Sequence, residues 1–449
     1  MRLSIIGTGY VGLVTAVCFA EAGNHVIGVD NNDEKLERFK QGDPIIYEKN
    51  LAELLRNNLE RRRLEFTNDL NYAVKNTDVI FFCLPTPPNE DGSADLQHVL
   101  EVAEQCGKIL KTLDNKQYKI FVNKSTVPVG TSDLVREKIK AEVGDEYPFD
   151  VISNPEFLRE GFAVEDFMKP DRIVVGTTSE RAKEIMKMLY EPFVRSGNPI
   201  YFMDVKSAEI TKYASNAFLA TKITFMNEIA NYCEKVGANV DMVRLAMGAD
   251  NRIGKRFLFP GIGFGGSCFP KDILSLQKSF HHLNLEPNII NAVIKTNEKQ
   301  KVLLVDKILN YYQGNIKNKR FALWGLAFKP ETDDVREAPA FTIIDKILEH
   351  GGMIVAYDPK AIENTKKVYG DKIEYAEDAL SACKDCDALI IATEWTEFRT
   401  PDFDAMKKAL KEFVIFDGRN VFDNERALKF KFVYFSIGRK PVLKEDLQS

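Results

Sequence analysis

Residues Phe257 to Asp272 read Phe-Leu-Phe-Pro-Gly-Ile-Gly-Phe-Gly-Gly-Ser-Cys-Phe-Pro-Lys-Asp. Gly261, Gly263, Gly265 and Gly266 lack Cβ, so the backbone here can turn tightly and approach a ligand. Cys268 ends this loop, and Pro270 with Ile273, Leu274 and Leu276 predicts a helix just beyond it. A thiol placed before a helix N-terminus meets N–H groups and positive potential that stabilise the thiolate. The chemistry that suits is covalent capture by a nucleophile. The plain alternative is a small buried core cysteine.

Other groups could serve such a thiol. Lys212 and Asn216 are four residues apart in a stretch, Ala208 to Val236, with helical periodicity and neither Pro nor Gly. They share a face with Ala220, which suggests a polar pocket, although a surface lysine is the commoner case. Asn154-Pro155-Glu156 predicts a short helix with Asn154 as its cap. Glu156 and Glu160 would then share a face, where like charges raise a carboxyl pKa as a general base needs. First-turn acidity is the bland alternative. Arg252, Lys255 and Arg256 stand just before the glycine loop and could neutralise a phosphate-bearing ligand.

These groups need a scaffold. The apolar run Leu3–Ile6 leads into Gly7-Thr-Gly9-Tyr-Val-Gly12, then an apolar helix, then a second strand ending in Asp30. That is the setting of a dinucleotide-binding turn. The glycines admit a pyrophosphate, and Asp30 would bind the adenosine ribose and repel a 2′-phosphate, favouring NAD over NADP. Asp30 could instead merely cap the next helix. Strands expected at 78–84 and 119–126 place Thr86, Ser125 and Thr126 at their carboxyl ends, where such sheets bind ligands.

The chain's 449 residues exceed one core, and 45% hydrophobic with 28% charged residues is ordinary for a globular protein. The net charge of −5 gives no reason to expect nucleic-acid binding. Seven cysteines in this length do not make a disulfide framework, and Cys383-x-x-Cys386 has no partner motif for zinc. The reducing cytoplasm is therefore expected. No charged leader precedes the first strand and no run approaches a membrane span. After an all-helical middle, Lys319–Phe328 starts a second strand–turn–helix–strand pattern ending in Asp358, but Gly325 lacks the rest of a dinucleotide fingerprint. A mononucleotide or nucleotide-sugar is the more natural ligand there. The expected fold is α/β: two Rossmann-like parallel-sheet domains, 1–203 and 313–449, joined by a central helical domain, 204–312, with a long helix.

Several separated motifs occur together. They are Gly7–Gly12, Pro85-Thr86-Pro87, Ser125-Thr126-Val-Pro-Val-Gly130, Asn154-Pro-Glu-Phe-Leu-Arg-Glu160-Gly161, Lys212-Tyr-Ala-Ser-Asn216, Gly265-Gly-Ser-Cys268-Phe-Pro-Lys-Asp272, and Lys329 with Arg336-Glu337. In this order and over essentially the whole chain they resemble the UDP-glucose/GDP-mannose dehydrogenase family. The resemblance implies oxidation of a sugar-nucleotide alcohol to a carboxylic acid with two NAD and no metal.

It also implies roles. Cys268 captures the aldehyde and later forms a thioester; Lys212 and Asn216 steady the oxyanion, with Lys212 handling protons; Asp272 works with Lys212 on a water. Glu156, helped by Thr126, is the base of thioester hydrolysis. Gly7, Gly9, Tyr10, Val11, Gly12, Asp30, Lys35, Thr86, Thr126, Glu160 and Arg336 form the cofactor shell. Glu156, Phe157, Leu158, Glu160, Lys212 and Asn216, the loop residues Phe259, Gly261, Phe264 and Gly265, and Lys329 and Arg419 hold the substrate. Arg252 matches an arginine supplied across a homodimer interface, so a homodimer or larger homo-oligomer is expected.

The segment Gly265–Asp272 resembles the UDP-glucose branch, making UDP-glucose the expected substrate and UDP-glucuronate the product. GDP-mannose and UDP-N-acetylhexosamines are the alternatives. A nucleotide-sugar-binding regulatory protein is the non-enzymatic one, and a binder would not need Cys268.

Overall fold

The structure is a computed structural model describing residues 1–195 and 197–448. It forms two compact units, Met1–Ser215 with Leu274–Leu283, and Asn216–Ile273 with Asn284–Ser449.

The first unit is built on an eight-stranded sheet. Its strands are β1 (Arg2–Ile6), β2 (His25–Val29), β3 (Leu64–Thr67), β4 (Val79–Phe82), β5 (Lys119–Asn123), β6 (Phe149–Ser153), β7 (Ile173–Gly176) and β8 (Ile200–Met203). The order β3-β2-β1-β4-β5-β6 is that of dinucleotide-binding sheets, and β7-β8 extend it. Neighbours run parallel except β6 and β7, which meet antiparallel at Ser153 and Gly176. Continuous apolar runs such as Val79–Phe82 are buried because helices cover both faces. The register pairs Ile6 with both Val29 and Phe82, so Gly7, Asp30 and Cys83 emerge at one edge.

The second unit carries β9 (Arg320–Trp324), β10 (Met353–Tyr357), β11 (Glu374–Tyr375), β12 (Ala388–Ile391), β13 (Val414–Asp417) and β14 (Val433–Phe435). Their order β11-β10-β9-β12-β13-β14 repeats the same permutation, all parallel. The expected reuse of one fold is therefore present. In sequence, the strands of the two sheets are separated by the helices Val205–Val236, Val240–Gly248, Phe269–His282 and Asn288–Tyr311. The long helix starts three residues before the sequence expectation because Asp204 caps it, accepting the Ser207 N–H at 2.9 Å.

One expectation is corrected here. Residues 154–159 do not form a helix; the next one is Ala163–Met168. Asn154 cannot cap, because its Nδ2 donates to Val174 O (2.8 Å) and its Oδ1 accepts from the Tyr190 hydroxyl. Within the run Lys319–Phe328 the strand ends at Trp324 and Gly325 makes the turn with φ +92°.

Candidate active site

In the first unit, Gly7 has φ +88° and a Cβ there would stand 2.6 Å from Cys83 O. Gly12 packs so closely that a Cβ would meet Gly7 O at 1.8 Å. Gly9 occupies the cap position of the Tyr10–Glu21 helix, supplies no side-chain cap, and has open space around it. The first N–H groups of that helix are thus offered to a ligand. Asp30 Oδ2 accepts from Thr8 N (3.0 Å), from Thr8 Oγ1 (2.7 Å) and from Lys35 Nζ. Burial works to raise its carboxyl, but Lys35 and Thr8 prevail and hold it below the usual carboxylate range.

The remaining first-unit residues gather at the same edge. Thr86 Oγ1 donates to Thr126 O at 3.0 Å, joining the ends of β4 and β5. Tyr10 donates to Glu48, and both accept the Gly161 N–H at 2.8 Å. This latch ties the first turn to the segment carrying Glu160. Glu48 escaped sequence reading because nothing local marks it; burial raises its carboxyl pKa.

Glu156 and Lys212 form a buried pair, Nζ to Oε1 2.8 Å, with side chains 7% and 5% exposed. Glu156 Oε2 also accepts the Leu158 N–H at 2.6 Å. Burial pushes the Glu156 carboxyl up, but Lys212, Leu158 N–H and Lys124 outweigh it, so the carboxyl titrates below its ordinary value. This corrects the expected upward shift, since Glu156 faces cations rather than Glu160 along a helix. The Phe157 ring lies between two cations, 3.7 Å from the Arg172 guanidinium carbon and 5.5 Å from Lys212 Nζ.

In the second unit, Cys268 is exposed and immediately precedes the Phe269–His282 helix, whose first bond runs from Asp272 N to Cys268 O (2.9 Å). The Ser267 hydroxyl lies 3.5 Å from its sulfur. Asn216 Nδ2 donates to Asp272 Oδ2 at 2.6 Å, and Lys271 Nζ is 2.8 Å from Oδ1. The loop is clamped by buried amides that sequence reading missed. Asn227 accepts Gly261 N–H (2.9 Å), Gln300 donates to Gly261 O (2.7 Å), and Asn297 bonds both Phe264 N (2.9 Å) and Phe264 O (3.1 Å). Gly265 rests against Glu337 O, where a Cβ would come within 2.0 Å.

Arg419 Nε donates to Ala392 O (2.9 Å) and Nη1 to Gly263 O (3.2 Å), so it straps the loop to the end of β12. Lys329 lies over the Phe328 ring, and Phe259 is 63% exposed beside Arg244. Arg336 pairs with Asp334 at 2.7 Å while its carbonyl accepts the Gly266 N–H at 2.9 Å. The structure does not bring Arg252 to the glycine loop of its own chain; it projects outward and pairs with Asp250 at 2.6 Å. Asp358, the counterpart of Asp30, is spent on Leu326 N, Ala327 N and Trp395 Nε1 at 2.7, 3.1 and 3.0 Å.

Three consecutive stretches match the three domains of one family: the NAD-binding domain over residues 1–194, the central domain over 206–299 and the UDP-binding domain over 322–424. The chain is 45% identical over 441 residues to a UDP-glucose 6-dehydrogenase of Bacillus subtilis, covering 98% of this chain and 94% of that one. The chain belongs to the UDP-glucose/GDP-mannose dehydrogenase family. It is also 44% identical to a UDP-glucose 6-dehydrogenase of Pseudomonas aeruginosa, over 98% of both chains. Among solved structures, a UDP-glucose dehydrogenase from Pyrobaculum islandicum superposes with TM-score 0.87 at 40% identity, over 94% of both chains. A UDP-D-ManNAc dehydrogenase from Pyrococcus horikoshii superposes at 0.85 with 26% identity, over 98% of this chain and 99% of that one.

NAD is the cofactor of this dehydrogenase, and the residues present fit it. Space is kept open before an uncapped helix start, two glycines fill positions no side chain could, and a partly exposed Asp30 stands ready for a ribose hydroxyl. Among the described residues no group of His, Cys, Asp and Glu could hold a metal, and no helix is long and apolar enough to cross a membrane.

Proposed function

We propose that this chain is a UDP-glucose 6-dehydrogenase that oxidises the sugar C6 alcohol of UDP-glucose to the carboxylate of UDP-glucuronate, consuming two NAD. The observation that carries the chemistry is Cys268: an exposed thiol at a helix start, ending a glycine loop held by buried amides, one turn before an Asp272 bonded to Asn216. The identity to enzymes of that name supports the sugar.

Bound NAD supplies the hydride acceptor for both oxidations. Lys212 takes the hydroxyl proton, and its ammonium with the Asn216 amide steadies the oxyanion. The thiolate of Cys268 attacks the aldehyde carbon, so a thiohemiacetal holds the reactive group until it is oxidised to a thioester. Glu156, a carboxylate at neutral pH, takes a proton from the water that hydrolyses the thioester, and Thr126 assists. Asp272 orients water. Gly7, Gly9, Tyr10, Val11, Gly12, Asp30, Lys35, Thr86, Glu160 and Arg336 hold the cofactor. Phe157, Leu158, Phe259, Gly261, Phe264, Gly265, Lys329 and Arg419 hold the sugar nucleotide.

The segments 1–203, 204–312 and 313–449 serve cofactor binding, helical assembly and UDP-sugar binding. Assembly is a homodimer through the long helix. Phe218, Phe225 and Tyr232, seven residues apart, are 66%, 49% and 66% exposed on it, an apolar stripe that a second copy would cover. Arg252, with its side chain 88% exposed, serves the second copy. Seven cysteines outside disulfides fit the cytoplasm.

The test is a Glu156→Gln variant mixed with UDP-glucose and NAD, quenched, and read by intact-mass and peptide mass spectrometry. A UDP-glucuronyl thioester on Cys268 is expected to accumulate. Slow turnover with no adduct on Cys268 would sink the covalent route.

A further inference from the structure

Lys124 follows β5 and is only 4% exposed. Its Nζ lies 3.3 Å from Asn154 Oδ1 and 3.4 Å from the Tyr190 hydroxyl, with the Phe167 and Tyr190 rings 5.6 and 6.0 Å away. Among the described residues it makes no ion pair. A buried ammonium without one is costly. Structure alone does not explain the charge, because Asn154 is already held by Tyr190 and by Val174 O, and a neutral donor would serve equally.

The groups around it are informative. Glu156 is two residues beyond Asn154 and feels Lys124 across the turn, while Lys212 holds it from the long helix. Arg172 approaches Glu156 from the strand β7 side, Asp171 faces Arg172, and the Cys83 thiol follows β4. Burial lowers the Lys124 ammonium below the lysine range; Cys83 and Glu156 pull it back, and Lys212 adds to the lowering. Glu156 is therefore bonded by one lysine, Lys212, and lies in the field of a second, Lys124, which is anchored on Asn154 two residues away.

We propose that Lys124 is a positioning residue for the reaction: its buried positive charge keeps Glu156 balanced whenever Lys212 is in its neutral form, so Lys212 can give and take protons. The inference rests on the proton-handling role of Lys212 given above. If Lys212 were the lone counter-charge, its proton could not leave without stranding a buried carboxylate. With Lys124 fixed behind Glu156, the pair that remains is neutral. Lys124 touches neither substrate nor cofactor and acts through Glu156.

The test is the pH profile of kcat for Lys124→Gln, which keeps a donor for Asn154 and Tyr190 but drops the charge. The profile is expected to move to higher pH by about one unit, with neutral-pH kcat down about tenfold and recovering as pH rises. KM for UDP-glucose and NAD should stay within about twofold of wild type. Lys124→Arg should leave the profile in place. A fall in kcat at every pH with the profile unmoved, or a displaced profile in Lys124→Arg, would overturn the proposal. Lys212→Ala separates the two readings: it must abolish the limb that moves, and a wild-type profile in Lys212→Ala would mean that the role of Lys212 itself had failed. NAD titration and thermal melting report folding, and Lys124→Met carries the same test if Gln is not tolerated.

Discussion

Asn216 donates its amide to Asp272 Oδ2 at 2.6 Å, and the two side chains are 7% and 1% exposed. The contact fixes the first turn of the helix that Cys268 precedes. Asp272→Ala leaves the Asn216 amide buried and unpaired. Thermal or denaturant unfolding should report a loss of about 1–3 kcal/mol. Turnover should fall by about a hundredfold or more if Asp272 also orients water. Wild-type turnover in a merely destabilised variant would remove Asp272 from the chemistry.

The proposed ribose contact of Asp30 makes a prediction about cofactor choice. Its carboxylate is held ionised by Lys35 and Thr8, and in the proposed role it would repel a 2′-phosphate. The enzyme is expected to use NADP at least about a hundredfold less efficiently than NAD, and Asp30→Asn to narrow that ratio while raising KM for NAD. Steady-state kinetics with both cofactors decide it; an unchanged ratio in the variant would show that discrimination lies elsewhere.

The Glu156–Lys212 pair predicts a pH-dependent stability. The folded Glu156 carboxyl titrates below its unfolded value of about 4.3. Its contribution is thus present above that value and lost as pH falls through the lower folded one. Glu156→Gln strands a buried ammonium, and should cost about 3–5 kcal/mol near neutral pH. The gap to wild type should close as acid protonates Glu156 in the wild type. Lys212→Met added to Glu156→Gln should recover part of the loss. A gap that widens in acid would contradict the ion pair.

The apolar stripe on the long helix makes a solution prediction. Phe225→Asp places a charge in the middle of Phe218, Phe225 and Tyr232. Sedimentation should show the variant as a monomer and the wild type as a dimer or larger. A wild-type monomer at working concentration would remove the interface.

The parts of the site that are local in sequence were legible there. Cys268 and its glycines, the turn at Gly7–Gly12 and the long helix carry periodicity or spacing that physics restricts to few meanings. What escaped depends on partners far along the chain. Asn154 looks like a helix cap, but its side chain is taken by Val174 and Tyr190. Asn227, Asn297 and Gln300 are amides within helices, indistinguishable in sequence from solvated ones until the glycine loop lies against them. Glu48 and Lys124 carry no local signature, and the antiparallel meeting of β6 and β7 leaves none in an apolar strand. The depressed Glu156 titration followed from the same cause: the pairing cation sits 56 residues away.

The measurement that tests the account most directly is the end-point yield of NADH per UDP-glucose consumed, with NAD in excess, for the wild type and for Cys268→Ser, alongside GDP-mannose and UDP-N-acetylglucosamine. The account predicts two NADH per UDP-glucose for the wild type, little from the other sugars, and net turnover lost by about a hundredfold or more in Cys268→Ser. One NADH per sugar, or a Cys268→Ser variant that still makes two at the wild-type rate, would contradict it.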